Sequence, residues 1–263
     1  MAPTLEIISR LPRRKRGKPN LLFIHGAYVG AWIWDEHFLK HFADLGWPAH
    51  AVSLRGHGAS EQGPGLHAAG LRDYVEDIAA AEGQIGEDCV LIGHSMGGMV
   101  VQKLMERRTP RAAALMCSVP PSGLAPWALR LSAFDTSLFQ QLSLIQGVGA
   151  WAADPTALRA GMVSDDTPEE ALDPSFSGFQ QESQRAILDM TWLDLPVVSR
   201  WRPVNAFVLG SENDRLFPPT TAHETAGALG VEATIITGPG HSVMIDAHWK
   251  VAADALAAWL ETV

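Results

Sequence analysis

The chain is poor in cysteine, with only Cys89 and Cys117 among its 263 residues. Each belongs to a different apolar run, Cys89 at the start of one and Cys117 near the end of the next. If those runs are neighbouring parallel strands, an offset of roughly five residues at about 3.3 Å each places the sulfurs some 15 Å apart, beyond the ~7 Å that a disulfide tolerates. Two free thiols are expected, which fits a cytoplasmic protein. Neither cysteine has a partner at metal-ligand spacing and no histidine pair resembles a zinc site, so no metal is expected.

Positive charge is scarce too. Lys and Arg number 20 against 29 Asp and Glu, for a net charge of -9 and a pI near 5.5, which disfavours nucleic acid or an anionic membrane as a partner. The one basic run, Arg13-Arg14-Lys15-Arg16 with Lys18, is brief, lies between two expected short strands and reads as a solvated turn. No apolar stretch follows Met1 that would serve as a signal peptide. The longest uncharged stretch, residues 112–129, is broken by Pro120, Pro121 and Pro126, so a strand and loop are expected rather than a membrane span. Internal repeats and low-complexity tracts are absent.

What is present is a composition 47% hydrophobic, enough for one large α/β core with an inserted subdomain. An opening strand is expected at 4–8, followed by strand, helix and strand repeats through Cys117, the rhythm of a mostly parallel sheet flanked by helices. Apolar residues recurring every three or four mark helices at 32–45, 71–84, 96–108, 220–229 and 247–262. In the first of these Trp34, Phe38, Phe42 and Leu45 form the expected core face. The rhythm fails between Pro120 and Pro203, and the next strand resumes only at Asn205. That interval holds Trp127, Leu131, Phe134, Phe139, Leu142, Ile145, Trp151, Met162, Phe176, Phe179, Leu188, Met190, Trp192 and Leu193. Most are expected to hold the insertion together, leaving a minority for a pocket, and the apolar surplus favours a hydrophobic group over a sugar or charged metabolite.

The chemistry concentrates at Gly93-His94-Ser95-Met96-Gly97, where the apolar run Cys89-Val90-Leu91-Ile92 gives way to a helix-period run. A Gly-x-Ser-x-Gly between strand and helix resembles the nucleophile elbow of the α/β-hydrolases, a strained turn that projects the serine oxygen. The bland alternative is a serine that caps a buried helix. Order extends the resemblance over nearly the whole chain. Leu21-Leu22-Phe23-Ile24 runs into His25-Gly26-Ala27-Tyr28, similar to the family's oxyanion loop after the third strand. Ala206-Phe207-Val208-Leu209 leads to Gly210-Ser211-Glu212-Asn213-Asp214, and Thr234-Ile235-Ile236 precedes Gly238-Pro239-Gly240-His241. Ser, Asp and His each follow a strand in the hydrolase order.

Serine is a weak nucleophile until a histidine takes its proton, and that imidazole needs a carboxylate to fix its tautomer. The resemblance gives these roles to Ser95, His241 and Asp214. Glu212 is the reserve acid, and Asp246 is accounted for as a helix cap. His25 and His94 lie within the loop and the elbow, with His94 at the substrate pocket, and His57 in Arg55-Gly56-His57-Gly58 is a candidate for the floor of the site. His223 and His248 fall on expected helices as solvated or capping residues. The family forms its oxyanion hole from backbone amides, here those of Ala27 and Met96. Tyr28 and Trp192 are candidate pocket residues, though Tyr28 is equally open to plain packing. The Gly30, Trp32, Trp34 continuation looks more like small esterases and hydroxynitrile lyases than lipases.

The resemblance implies an α/β-hydrolase core at 1–119 and 203–263, with a helical cap at 120–202 inserted after the sixth strand. It implies a carboxylesterase acting on a small or medium hydrophobic ester through an acyl-enzyme, with no cofactor. Haloalkane dehalogenases and epoxide hydrolases use an aspartate where this chain has Ser95. Hydroxynitrile lyases use a cap lysine, and no lysine occurs between Lys103 and Lys250. Lactonase, thioesterase, amidase and carbon–carbon hydrolase activities fit the same triad, and a small-molecule receptor fits the same fold.

Overall fold

Side chains alternate along the central strands, and the two sets belong to different cores. The computed structural model describes residues 3–14, 17–62, 65–86, 88–168 and 178–263. In β2 (Leu21–Ile24) Leu21 and Phe23 join one apolar cluster while Leu22 and Ile24 join another; β4 (Val90–His94) and β5 (Ala112–Met116) divide the same way. Strands apolar on both faces must be covered on both. One layer holds α1 (Trp32–Asp35), α2 (Phe38–Asp44) and α10 (Trp249–Leu260), and the other holds α3 (Leu71–Ile85) and α4 (Met96–Met105).

Among the described residues the sheet has seven strands, completed by β1 (Ile7–Arg10), β3 (Ala49–Val52), β6 (Asn205–Ser211) and β7 (Ala233–Ile236), in the order β1-β3-β2-β4-β5-β6-β7. Only β1 runs antiparallel, paired to β3 from Ile7↔Val52 to Arg10↔Ala49. The opening strand therefore starts later than the expected 4–8. Before it the chain is still tied down, with Ser53 N–H donating to the Glu6 carbonyl. Among the described residues a single strand precedes β2, so the oxyanion-type loop follows the second strand and the insertion follows the fifth. The expected third and sixth places each assume one more strand ahead of β2.

Helix 32–45 is divided at His37, whose φ of -132° leaves the helical range. Trp34, Phe38 and Phe42 are buried as expected, but Leu45 is 39% exposed. It caps α2 just before Gly46, where positive φ turns the chain so that Trp47 N–H reaches the Phe42 carbonyl. Among the described residues four α-helices lie between β5 and β6: α5 (Ala125–Phe134), α6 (Thr136–Gly147), α7 (Pro155–Met162) and α8 (Gln184–Leu188). The last continues into a π turn, Asp189–Leu193. After β6 comes α9 (Pro219–Leu229). Among the described residues no helix is long and apolar enough to cross a membrane. Because β2, β4, β6 and β7 are mutually parallel, the loops that follow them emerge at one edge of the sheet, where open α/β folds place their ligands.

Candidate active site

Ser95 follows β4 directly and opens α4 with φ 52° and ψ -117°. An L-residue is held in that left-handed region only by its surroundings. The neighbouring glycines show why the turn can close. A Cβ at Gly97 would stand 2.5 Å from the Ile24 and His25 carbonyl oxygens, and one at Gly93 would stand 2.5 Å from the Gly97 oxygen. The Ser95 side chain makes no capping hydrogen bond to its helix, which removes the bland alternative. Tyr28 and Cys117 also have positive φ, so among the described residues three of the four such non-glycine residues flank this edge of the sheet.

Asp214 lies just past β6, buried, and its two carboxylate oxygens divide the work. Oδ1 accepts from the amides of Leu216 and Phe217 at 2.9 and 2.8 Å, and Oδ2 meets Nδ1 of buried His241 at 2.8 Å. Donation from Nδ1 leaves Nε2 of His241 as the free base, the tautomer that proton abstraction requires. Glu212, the reserve acid, is exposed and accepts from the Thr237 hydroxyl instead. Asp246 does more than cap a helix. It is fully buried and binds Ser164, Gly240 and His248.

Ser95 and His241 line one cavity of about 410 Å³, together with Ala27, Tyr28, His94 and Met96. Among the described residues the lining includes no Asp, Glu, Lys or Arg. Met96 is the first residue of α4, where helix N–H groups have no partner within the helix. His94 donates from Nε2 to the His241 carbonyl at 2.9 Å, and burial, with His241 close by, holds its pKa well below the usual value. His25 is pushed down to about 3, by burial first and then by His57. It is structural, donating from Nδ1 to the Gly26 carbonyl and accepting from Leu54 N–H at Nε2.

Two expected site residues lie elsewhere. Trp192 is 63% exposed and does not line the cavity. The wide π turn directs its neighbours Met190 and Thr191 to the cavity and leaves Trp192 outside. His57 does not reach the cavity either. Its Nε2 pairs with Glu182 Oε2 at 2.9 Å, and Tyr74 donates to the other oxygen at 2.6 Å. Burial alone would lower the His57 pKa, but the Glu182 charge and hydrogen bond outweigh it and raise the value; Glu182 is correspondingly lowered despite its burial.

From the insertion, Trp127, Leu131, Phe139, Leu142, Met162 and Met190 line the cavity. Phe134, Trp151, Leu188 and Leu193 are exposed rather than packed, and Phe176 lies outside the described residues. His223 is exposed on α9, while His248 precedes α10 and meets Asp166 at 2.8 Å. The fold also gathers a set that no sequence spacing marked, with Cys117 Sγ within 4.8 Å of Asp214 and His241 ligand atoms. Burial, then the Asp214 charge, drives that thiol well above its ordinary value. Both cysteines are free.

Comparison with known proteins agrees with this fold. The sequence profile described as the alpha/beta hydrolase family matches residues 21–255. A pimeloyl-(acyl-carrier protein) methyl ester esterase of Aromatoleum aromaticum is 28% identical over 149 residues, covering 53% of this chain and 52% of that protein. A carbendazim hydrolyzing esterase of a Nocardioides species is 29% identical over 143 residues, covering 51% of this chain and 56% of that one. The chain thus spans about half the length of the curated relatives it matches. In fold, an esterase of Exiguobacterium antarcticum superposes with a TM-score of 0.77 at 13% identity, covering 98% of this chain and 96% of that structure. With the profile running from β2 into α10, the chain belongs to the alpha/beta hydrolase family.

Proposed function

We propose that the protein is a serine carboxylesterase for small-to-medium hydrophobic esters, with Ser95 as nucleophile, His241 as general base and acid, and Asp214 as the residue that orients His241. The observation that carries this reading is the 2.8 Å bond from His241 Nδ1 to Asp214 behind a cavity that Ser95 and His241 both line. Ser95 Oγ attacks the ester carbonyl as its proton passes to His241 Nε2. The amides of Ala27 and Met96 receive the developing oxyanion. His241 then protonates the departing alcohol, and water, activated by the same histidine, hydrolyses the acyl-enzyme. These steps need no cofactor.

Residues 120–202 act in this reading as a cap that roofs the site and supplies the apolar wall. A cavity of about 410 Å³ with no Asp, Glu, Lys or Arg among the described residues that line it suits a neutral apolar acyl or alcohol group better than a substrate carboxylate or phosphate. The esterase names of the curated relatives support an ester as the substrate. Turnover of p-nitrophenyl butyrate tests the assignment. Wild-type protein should hydrolyse it and Ser95→Ala should not; saturable binding without turnover in the wild type would mark a receptor instead.

A further inference from the structure

Asp246 is a fully buried carboxylate with no cation among its hydrogen-bond partners in the described residues. Other buried acids of this chain have one: Asp77 pairs with Arg55 and Asp189 with Arg185. A buried charge without a counter-ion persists only where several donors converge on it. Here Oδ1 accepts from the Ser164 hydroxyl at 2.8 Å and His248 N–H at 2.9 Å, and Oδ2 from Ser164 N–H at 2.6 Å and Gly240 N–H at 2.9 Å. Ser164 belongs to the insertion, two residues past α7, whereas Gly240 directly precedes His241.

The other side of His241 is held from the same place. Ser242 N–H donates to the Met162 carbonyl at 2.7 Å, so the amides on both flanks of His241 depend on residues 162–164, one directly and one through Asp246. The backbones are also in contact, since a Cβ at Gly240 would stand 2.7 Å from the Val163 Cα. Met162 itself lines the cavity. The segment that touches the substrate space at Met162 thus ends, two residues later, in the bonds that fix the loop carrying His241.

We propose that Asp246 is a positioning residue that fastens the His241 loop to the end of α7, so that the base is presented only while this part of the insertion is seated. The inference rests on the reading of His241 as the base. In Asp246→Asn the amide must turn its NH₂ toward one of the pairs of donors that now converge on the carboxylate, which opens the clasp without changing its volume. Ser164→Ala removes only the hydroxyl on the insertion side, with its bonds to Asp246 and Thr167, and keeps the fold testable if the first variant is unstable; Ser164→Thr restores the hydroxyl.

The experiment is steady-state hydrolysis of p-nitrophenyl butyrate by these variants, by the Ser164→Ala/Asp246→Asn double variant and by His241→Ala. Loss of buried hydrogen bonds predicts a fall in kcat on the order of tenfold for Ser164→Ala and a hundredfold for Asp246→Asn, with KM within about twofold. Ser164→Thr should approach wild-type kcat, and the double variant should be no worse than Asp246→Asn, because both changes break one clasp. An unchanged kcat in both single variants, a loss carried by KM, or a double variant that multiplies the two losses overturns the proposal. If His241→Ala keeps wild-type turnover, the base assignment has failed and this inference fails with it. If that variant is inactive while Asp246→Asn is not, only the positioning role is lost.

Discussion

Asp214 spends both of its carboxylate oxygens, one on two backbone amides and one on His241. An amide in its place has only one acceptor to offer. Asp214→Asn must set its NH₂ against either the Leu216 and Phe217 amides or the His241 Nδ1–H, and in the second case His241 is driven to the wrong tautomer. A fall in kcat of about 10⁴ is expected, as for other triad aspartates. Glu212→Gln, at an exposed side chain bonded to Thr237, should stay within a few-fold of wild type. Measured kcat values for the two variants decide the acid, and the reverse ranking would transfer the role to Glu212. These residues are legible in the sequence because each sits in a short motif just past a strand. The Asp246 clasp and the pairing of His57 with Glu182 are not, since they join residues 82 and 125 positions apart and only the folded chain brings them together.

At the scale of elements, helical spacing identifies the core face of α1 and α2 through Trp34, Phe38 and Phe42, but neither the break at His37 nor the turn at Gly46 that leaves the capping Leu45 outside. The insertion shows the same limit. Its apolar side chains are evident as a class, yet which of them face the cavity depends on helix phase and on the π turn, which brings Met190 and Thr191 inward and leaves Trp192 in solvent. If α6 walls the acyl site, each methylene buried there contributes at most about 0.8 kcal/mol, or roughly fourfold in kcat/KM, until the chain outgrows a space that packed helices cannot stretch. A series of p-nitrophenyl esters should therefore show an optimum at short-to-medium acyl length. Phe139→Ala, at the cavity wall, should move that optimum to longer chains, while Trp192→Ala should leave it in place. A monotonic rise through long acyl chains would point to a lipase whose lid opens. A shifted optimum in Trp192→Ala would contradict the position of that residue.

For the whole molecule, the mostly parallel sheet follows from the βαβ rhythm of the sequence, whereas the bounds of β1 do not, because pairing with β3 rather than apolar content fixes where it begins. Folding also buries histidines in ways that set the acid response. His25, pushed down to about 3, and His94, held well below its usual value, stay neutral in the folded chain, while their unfolded counterparts protonate near pH 6.5. As pH falls through that value the unfolded state binds protons that the folded state cannot, and stability drops at a slope approaching about 1.4 kcal/mol per pH unit for each residue. His57, raised by Glu182, acts with the opposite sign. Its stabilisation is complete below pH 6.5 and is lost as pH rises through its folded value. The urea midpoint should therefore peak near neutrality and decline from pH 6.5 to 5.5; a midpoint that climbs over that interval would contradict the neutral burial of His25 and His94.

The central claim, a nucleophilic Ser95 served by His241 and Asp214, meets its most direct test in covalent labelling with a fluorophosphonate, read by intact and peptide mass spectrometry. The account predicts one adduct per chain, on Ser95, abolished in Ser95→Ala and strongly slowed in His241→Ala. Labelling of the Ser95→Ala protein at the wild-type rate, or an adduct on another residue, would contradict it.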